Sequence, residues 1–584
     1  MRFNFKLLLL IVISLFSIFS CKSVPRDGDY SIYIFSTNDL HGRLFDSLYV
    51  PSQEQSTHKY SLASVSGYIN RMRDSVGENR VVLLDAGDNL QGDNSMFYYN
   101  FVDTSSVHLF SRVMNYLNYD AITVGNHDIE AGPRVYNKIT QELNAPFLAA
   151  NAINLSNKEP HFEPYTIIER DGIKIAVIGL TNPNIPKWLS PELWEGLFFD
   201  QIVTSLNHWV EIVKKKERPH FIVALLHAGI GEIEEYNVEH PSLFVAKNVD
   251  GIDIVFASHD HKRGAFKVNN GKKDVWVLQG GSRASDLSSV LLNFSIKGGK
   301  VSNLTYDASV VPMSNIEPDR AYLDYFRSDF EAIREFSNRE VGTLSQSISS
   351  RDCYFGQSKF LSLIHRVQLQ NSDAQISFAA PLTYDVTINE GKLIYQDLFK
   401  LYPYENQLYV VEMSGREIVD YLEYSYSKWI NKVEVSNKSV SKGTLFNISN
   451  DSGRYRFNNI HFNFDSAAGI DYEVDVTKDF GFRINIKSLS DGTQFDINGI
   501  YRVAMTSYRA NGGGDILVEG AKIPKQMLAQ RVVNRGGDIR DLIYTSLSKD
   551  SVIAVQNYNN WSFVPKNIAN KMIKKERALL FPNE

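Results

Sequence analysis

The chain has 584 residues, which exceeds the roughly 100–200 residues of a typical domain and excludes a single small module. Hydrophobic residues make up 43% and charged residues 22% of the sequence, so the composition is globular and not that of a disordered chain. The net charge of −6 leaves no basic excess, which argues against a nucleic-acid polymer as partner.

The beginning of the chain has the pattern of an export signal. Two basic residues precede the apolar run 7–19, which is too short to cross a bilayer but has the length of a signal-peptide core. The run leads to Cys21 in a pattern that resembles a bacterial lipobox, whose cysteine becomes the lipidated first residue. We therefore expect residues 1–21 to be a lipoprotein signal peptide and 22–30 a tether. The protein would then be a periplasmic or outer-membrane lipoprotein; ordinary secretion with cleavage nearby is the alternative.

Cysteine use is sparse. The sequence holds two cysteines, which excludes a disulfide framework. With Cys21 assigned to the lipid anchor, we expect Cys353 to be an inert, packed thiol. The signal contains the one long apolar run of the sequence, so we expect the protein to meet the membrane only through its lipid. We also expect a monomer.

Short apolar runs recur through the first half of the chain, and each is followed by a polar loop. Runs of this length suit strands that are buried on both faces of a sheet. The runs lie within residues 31–39, 80–88, 120–128, 174–182, 220–229 and 253–261. Helical patterns separate several of them, at 62–75, 105–118, 132–143 and 201–217. Strands that alternate with helices predict a layered α/β domain, which we place at residues 31–312.

The second half predicts another domain behind a helical linker. Residues 318–340 keep apolar residues at helical spacing and predict one helix, within a linker that spans 313–344. Residues 435–454 are rich in Ser, Asn and Gly and predict an exposed loop. The remaining predicted elements of residues 345–584 are helices at 357–370 and 416–430 and β-rich stretches at 406–413, 457–476, 481–489 and 500–507. Together they predict a mixed α+β domain.

The ends of five predicted strands carry histidine, aspartate or asparagine. In open α/β sheets, functional sites form where the carboxyl ends of the strands meet. Five of the 13 histidines fall in these loops, a sorting that scattered surface histidines would not show. The loops begin at Asn38, Asp85, Gly125, His227 and Ser258.

These residue types are those of a metal site. Imidazole nitrogens, carboxylate oxygens and an amide oxygen together suit divalent Zn, Mn, Co or Fe. Asp39 and His41 are two residues apart, so in extended backbone their side chains point the same way. The candidate ligands are Asp39, His41, Asp88, Asn126, His227, His259 and His261. Seven ligands are too many for one tetrahedral ion and fit two divalent ions with a shared bridge, for which Asp88 is the candidate.

The order of these motifs, D-x-H, G-D, G-N-H-[DE], H and [GS]-H-x-H, resembles the calcineurin-like metallophosphoesterases. Over about residues 30–545 the chain resembles the bacterial 5′-nucleotidases and 2′,3′-cyclic-nucleotide phosphodiesterases/3′-nucleotidases. The resemblance implies a four-layer α/β/β/α metallophosphoesterase domain and a mixed α+β substrate-binding domain. It also implies that one metal is held by Asp39, His41, Asp88 and His261, and the other by Asp88, Asn126, His227 and His259.

The resemblance further implies a mechanism. A hydroxide held between the two metals attacks phosphorus, while His127, which is not a ligand, stabilises charge on the phosphoryl group or protonates the leaving oxygen. Glu130 lies three residues after His127, where the family often has a carboxylate that orients this histidine. The alternative is a Glu130 that faces solvent on the following turn.

The second domain has a P-Y-x-N motif and a Y-x-x-x-G-G-G-D motif that resemble the nucleotidase substrate domain. The resemblance implies that Tyr404 and Tyr508 hold a nucleobase between their rings, with Asn406 and Asp515 as polar contacts. Such stacking accepts any flat base. Packing within a strand is the alternative for either tyrosine alone. The glycines at 512–514 either let the backbone approach a ligand closely or form a flexible turn.

One loop departs from the 5′-nucleotidase pattern. Those enzymes usually carry an arginine after the strand near residue 375, whereas this chain has Ser-Phe-Ala-Ala-Pro-Leu-Thr at 377–383. The S-F-x-A-P pattern resembles the cyclic phosphodiesterase branch. Arg351, which lies upstream, is the candidate to replace the missing charge, and a surface salt bridge is the alternative for it.

The sequence therefore predicts a metal-dependent phosphoric ester hydrolase that acts on 5′-, 3′- or 2′,3′-cyclic nucleotides in nucleotide catabolism. The alternative enzyme is a nucleotide-sugar pyrophosphatase with the same metals. The alternative that is not an enzyme is a surface nucleotide-binding lipoprotein, which we would expect to have lost metal ligands that this chain retains.

Overall fold

A computed structural model of the chain describes residues 25–46, 60–436, 439–451 and 453–582. The predicted signal peptide, the predicted lipid attachment at Cys21 and the first part of the predicted tether lie outside these ranges. Among the residues described, no helix is both long enough and apolar enough to cross a membrane.

Two six-stranded sheets form the centre of the N-terminal domain. The first sheet has, in spatial order, the strands Lys300–Pro312, Asp286–Lys297, Gly28–Thr37, Val81–Asp85, Ala121–Thr123 and Phe147–Leu148. The second has Arg263–Asn269, Asp274–Gly280, Ile254–Phe256, Phe221–Leu226, Ile173–Leu180 and Tyr165–Arg170. The inner strands of each sheet run parallel, so their carboxyl ends lie at one edge.

The two sheets pack face to face, with helices on their outer faces. Alternate residues of a strand face opposite sides: Ile32 and Ile34 face the apolar layer between the sheets, while Phe35 packs against the outer helices. The helices on the first sheet are Leu62–Val76, Leu109–Tyr116 and Pro133–Glu142, and those on the second are Ile202–Lys216 and Ser242–Asn248. The predicted four-layer α/β/β/α architecture is therefore confirmed.

The predicted linker helix is in fact two helices, Arg320–Tyr325 and Arg327–Ser337. Phe326, with φ −96° and ψ 16°, leaves the helical conformation between them. Its ring is fully buried and contacts the ring of Tyr116 with a centroid distance of 5.4 Å. The apolar spacing of the sequence continues through this break, so the pattern alone indicated one helix, whereas burial of Phe326 turns the chain.

A five-stranded sheet forms the centre of the C-terminal domain. Its strands, in spatial order, are Ser466–Ala468, Ile376–Ala379, Ile500–Thr506, Gln407–Ser414 and Val532–Asp538. Helices cover both faces: Lys359–Gln370, Tyr395–Leu401 and Ile539–Leu547 on one, Gly415–Trp429 and Lys566–Leu580 on the other. The domain is thus mixed α+β, as predicted.

Smaller β elements surround this domain. Two three-stranded sheets are formed by Glu340–Leu344, Gly391–Ile394 and Val552–Ile553, and by Ile470–Asp475, Ile484–Leu489 and Trp561–Val564. The segment predicted as a loop contains strands instead, Glu434–Ser436, Ser439–Lys442, Ile448–Asp451 and Arg454–Phe457, paired as two hairpins. Cys353 is fully buried, and burial raises the pKa of its thiol to about 12, as expected for an inert thiol.

Aromatic and ionic contacts hold the two domains together on either side of a cleft. Phe97 of the N-terminal domain packs edge-on against Phe399, with a ring-centroid distance of 5.5 Å, and under the guanidinium of Arg540. On another side, Tyr409 donates a hydrogen bond of 3.3 Å to Glu192. These contacts set the C-terminal domain opposite the carboxyl edge of the two sheets.

Candidate active site

The carboxyl ends of five strands deliver all seven candidate metal ligands to one place. Asp39 and His41 follow strand Gly28–Thr37, Asp88 follows Val81–Asp85, and Asn126 follows Ala121–Thr123. The second sheet contributes its ligands from the ends of Phe221–Leu226 and Ile254–Phe256, namely His227, His259 and His261. Because neighbouring parallel strands share an edge, loops far apart in sequence meet there.

Most of these ligands lie in left-handed backbone, which residues other than glycine rarely adopt. Left-handed residues cost about 1–3 kcal/mol each and persist only where the surroundings hold them in place. The positive φ angles are 48° for Asp39, 45° for His41, 62° for Asp88, 78° for His259 and 54° for His261. Strain concentrated at ligand positions indicates that the loops are shaped for binding.

Asp39, His41 and His261 form one group of potential ligand atoms, all within 4.8 Å of one another. The Nε2 atoms of the two histidines lie 3.0 Å apart, and Nε2 of His261 is 3.7 Å from Oδ1 of Asp39. Nδ1 of His41 lies 3.0 Å from the carbonyl oxygen of Gln91, which can only accept a hydrogen bond. That carbonyl places the imidazole proton on Nδ1 and leaves the lone pair of Nε2 facing the group.

Asp88, His227 and His259 form a second group with the same 4.8 Å limit. Oδ1 of Asn126 lies 3.0 Å from Nε2 of His227 and 3.0 Å from Nδ1 of His259, so the amide oxygen sits between the two rings. Nε2 of His227 is 3.1 Å from Oδ2 of Asp88. On the outer side, the carbonyl oxygen of Ala86 accepts from Nδ1 of His227 at 2.8 Å.

The donor set fits divalent cations. In both groups, hydrogen bonds on the outer side hold the imidazole protons, so lone pairs of nitrogen and oxygen converge on the inner side. Burial lowers the pKa of His41 and His259 and brings that of His261 to about 4, which keeps these rings in the neutral, metal-binding form. His227 differs, because burial disfavours its charged form but the carboxylate of Asp88 outweighs burial and raises the pKa of the ring to about 9. A cation bound there would displace that proton.

The carboxylates of the site give the same indication. Burial raises the pKa of Asp39 to about 8, opposed by His227 and reinforced by the carboxylate of Asp88. Asp39 and Asp88 are therefore two interacting, buried carboxylates, and their negative charges lower the stability of the fold unless positive charge lies nearby. Divalent cations would supply that charge.

Asp128 joins the two loops that carry Asp88 and Asn126. Its buried carboxylate accepts four main-chain N–H groups: Gly125 at 2.7 Å, Asp88 at 3.0 Å, Asn89 at 2.9 Å and Leu90 at 3.0 Å. The sequence motif contains this aspartate but does not show its role. The structure shows that it holds two ligand loops in register.

His127 is a member of neither group, and its ring lies edge-on to that of His41 with a centroid distance of 5.4 Å. Its Nδ1 contacts the carboxylate of Glu130, which is buried and does not face solvent. Burial alone would disfavour the charged ring, but the carboxylates of Asp88 and Glu130 outweigh it and raise the pKa of His127 to about 10. One nitrogen of the ring is held by Glu130, and the ring lines the cleft between the domains.

The cleft is a cavity of about 600 Å³ between the two domains. The N-terminal domain contributes Asp88, Asn126, His127, His259 and His261 to its wall, and the C-terminal domain contributes Phe378, Leu382, Tyr404, Asn406, Phe462 and Tyr508. Oδ1 of Asn406 accepts a hydrogen bond from the main-chain N–H of Tyr508 at 3.4 Å, so it also links the segments that carry the two tyrosines. A flat apolar group bound in the cavity would lie next to the two groups of potential metal ligands.

Gly513 of the G-G-G-D motif packs against the ring of Tyr508. A Cβ atom at Gly513 would lie 2.5 Å from the ring of Tyr508, so the missing side chain makes room for that ring. Arg509 fixes the same segment, since its Nε donates to Asp465 at 2.9 Å and the whole ion pair is buried. The motif thus sets the position of Tyr508.

Two predicted substrate residues do not line the cavity. The guanidinium of Arg351 forms an ion pair with Asp385 and lies 5.4 Å from the ring centroid of Phe581. The structure therefore shows the alternative considered for Arg351, a salt bridge. Arg351 does not replace the positive charge that is missing from residues 377–383. Asp515 is exposed in left-handed backbone at the outer end of its motif.

Trp188, Glu239 and Phe462 are among the cavity residues that sequence reasoning missed. Trp188 stacks on the ring of His259, with a centroid distance of 5.1 Å and an interplanar angle of 23°. Glu239 accepts a hydrogen bond of 3.1 Å from Nε2 of the same histidine. Phe462 meets the ring of Tyr508 edge-on at 6.4 Å. None of the three belongs to the motifs that follow the predicted strands. The sequence offered one indication, which is that Glu239 lies in the loop that begins at His227.

Comparisons with known proteins identify the class. The sequence pattern of the calcineurin-like phosphoesterases matches residues 32–263, and that of the 5′-nucleotidase C-terminal domain matches residues 340–519. The chain is therefore a hydrolase of the metallophosphoesterase type, a group that uses divalent metals. It belongs to the nucleotidase and cyclic-nucleotide phosphodiesterase family, in which these two domains occur together.

Individual relatives extend over most of the chain. The 2′,3′-cyclic-nucleotide 2′-phosphodiesterase/3′-nucleotidase of Salmonella typhimurium is 24% identical over 542 residues, 82% of this chain and 81% of the relative. The 5′-nucleotidase of Vibrio cholerae is 24% identical over 543 residues, 85% of this chain and 88% of the relative. A solved Staphylococcus aureus structure assigned as a 5′-nucleotidase shares the fold with a TM-score of 0.74 and 21% identity, over 91% of this chain and 100% of that one.

Proposed function

We propose that this protein is a dinuclear metal phosphoesterase that hydrolyses nucleotide phosphate esters in nucleotide catabolism. The observation that carries the proposal is that members of both ligand groups, His261 of the first and Asp88 and His259 of the second, lie with His127 in the wall of one cavity. The C-terminal domain contributes Tyr404 and Tyr508 to the same cavity, so phosphate chemistry and base recognition would occur within it. In the proposal Asp88 would help to hold both cations, and its Oδ1 accepts the main-chain N–H of His127 at 2.8 Å, which fixes the carboxylate.

The residues of the chain have distinct tasks in this proposal. When bound, two divalent cations would act as Lewis acids, neutralising the phosphate and activating water. His127, held by Glu130, would donate a proton or a hydrogen bond from Nε2 to the leaving oxygen. The rings of Tyr404 and Tyr508 would hold the base, and Asn406 would keep the two segments in register.

We expect 2′,3′-cyclic and 3′-nucleotides to be cleaved at least as well as 5′-monophosphates. The wall that replaces the arginine loop is apolar, with Phe378 stacked on Tyr421 at a centroid distance of 4.2 Å. Among the described residues, Arg509 is the one arginine in the cavity wall, and its guanidinium already forms an ion pair with Asp465. A cyclic diester has one negative charge and needs less compensation from such a wall than a 5′-monophosphate does.

The test is kcat/KM for AMP, 3′-AMP, 2′,3′-cyclic AMP and a UDP-sugar under one metal condition. A tenfold or greater advantage for AMP would show that this wall does not set the substrate class. Efficient cleavage of the UDP-sugar alone would favour the pyrophosphatase alternative. Loss of all four activities on removal of metal by a chelator, with recovery on adding Mn²⁺ or Co²⁺, is expected in each case.

A Tyr508→Ala substitution is expected to raise KM for nucleotides and to leave hydrolysis of p-nitrophenyl phosphate nearly unchanged. The ring would contribute about 1–3 kcal/mol of stacking with a base but nothing to the phosphoryl centre. Tyr508→Phe is the matched control, because it keeps the ring and its packing on Gly513. Equal losses on both substrates would mean that Tyr508 is structural.

We also propose that the protein is exported and held at a membrane by a lipid on Cys21. The support is the lipobox-like pattern at the end of the apolar run. Cys21→Ala is expected to release the protein into the soluble fraction with unchanged specific activity. Retention of this variant in the membrane fraction would contradict the anchor.

A further inference from the structure

Glu239 lies in the loop between strand Phe221–Leu226 and helix Ser242–Asn248, and its backbone is held in place. The carbonyl oxygen of Glu239 accepts from the main-chain N–H of Gly229 at 3.0 Å and from Nδ2 of Asn182 at 3.1 Å. Its own N–H donates to Oδ1 of Asn237 at 2.8 Å. The carboxylate therefore projects from a fixed backbone, although the side chain is 39% exposed.

That carboxylate decides which nitrogen of His259 carries the proton. Carboxylate and amide oxygens both only accept, but the charged carboxylate is the stronger acceptor, so the contact of 3.1 Å favours the proton on Nε2 over Nδ1. The neutral ring then presents the lone pair of Nδ1 on the other side, 3.0 Å from Oδ1 of Asn126 and toward the second ligand group. Stacking on Trp188 fixes the plane of the ring, but stacking leaves rotation within that plane free.

His259 differs in this respect from the other buried histidines of the site. The outer nitrogens of His41 and His227 are held by main-chain carbonyls of Gln91 and Ala86. These partners are neutral and cannot be removed by substitution. Glu239 is a charged side chain, so it both orients its histidine and adds negative charge that favours a bound cation.

We propose that Glu239 is a positioning residue, which fixes the tautomer and orientation of His259 and so sets the affinity of the second metal. The inference rests on the proposed dinuclear function. It predicts the larger effect on one metal of the two, because Glu239 contacts the imidazole of His259 in the second group, whereas only the main-chain N–H of His259 reaches the first group, at Asp39.

The test is a titration of the metal-depleted, full-length protein with Co²⁺ alone. Binding is measured by calorimetry and by visible absorption. Glu239→Ala is expected to weaken one of two binding events by about 10–100-fold and to leave the other unchanged. Glu239→Gln keeps an acceptor but not the charge, and is expected to lie between Glu239→Ala and the wild type. Glu234→Gln, an exposed residue of the same loop, is the matched control with no expected change.

Two unchanged Co²⁺ affinities in Glu239→Ala would overturn the proposal. Equal weakening of both events would also overturn it, because that result indicates a general structural role. A wild-type protein that binds one Co²⁺ would contradict the dinuclear function instead. The positioning role would then be decided by whether Glu239→Ala weakens that single ion.

Nitrogen-15 NMR of histidine-labelled protein supplies a readout that does not involve metal binding. His259 is expected to keep its proton on Nε2 in the wild type and to show a mixture of tautomers in Glu239→Ala. An unchanged Nε2–H signal in the variant would overturn the proposed cause, since another group would then be holding the proton.

Discussion

An Asp88→Asn substitution is expected to lower kcat by more than about a hundredfold, equivalent to about 2.7 kcal/mol of transition-state stabilisation. Asparagine keeps the shape of the side chain but removes the negative charge that lies 3.1 Å from Nε2 of His227. Because Asp88 is the proposed bridge, we expect both metals to be held more weakly. The measurement is metal content per chain together with kcat on 2′,3′-cyclic AMP.

Asp253→Asn is the matched control for this substitution. Asp253 is also a buried aspartate of the N-terminal domain, paired with Lys273, but it precedes strand Ile254–Phe256 and so lies at the opposite end from the ligands. The control is expected to lose some stability and to keep its metals. Near-normal activity with full metal content in Asp88→Asn would contradict the proposal that Asp88 bridges the two metals.

Replacement of His127 by Gln is expected to lower kcat on nucleotides by about 10²–10³-fold with unchanged metal content. The histidine belongs to neither ligand group, and its Nδ1 is held by Glu130, so its free nitrogen is available to the leaving oxygen. A ribose oxygen is a poor leaving group and needs a proton. p-Nitrophenolate leaves without one, so the loss on p-nitrophenyl phosphate should be much smaller.

The ratio of the two losses therefore reports on the role of His127. Equal losses on both substrates would show that the histidine does not protonate the leaving group. Glu130→Gln is the companion variant, expected to show the same substrate dependence with a smaller loss, because glutamine can still orient the ring. A fall in metal content in either variant would show that the residue supports the ligands.

The parts of the site that were predictable from sequence are those encoded locally. A buried strand and the polar residue that follows it lie within a few positions, as with Leu226 and His227. The order of five such loops was therefore sufficient to predict one cluster. The break at Phe326 was not predictable, because its cause is burial against Tyr116, more than two hundred residues earlier in the chain.

Contacts that no spacing rule indicates explain the remaining differences. Arg351 is paired with Asp385, and no spacing rule indicates such a pair in advance. The ring of Tyr508 was expected in the cavity, but its packing on Gly513 depends on how the motif folds back on itself. Glu239 is the same kind of case, since its partner His259 lies on another strand end.

The left-handed backbone at five of the ligand positions means that the site works against the stability of the fold that carries it. Glycine would occupy such a position with less strain than any ligand residue, so each aspartate or histidine retained there trades folding free energy for chemistry. Selection for stability alone would erase these residues first. Their joint presence is what we expect if the proposed chemical function outweighs the strain.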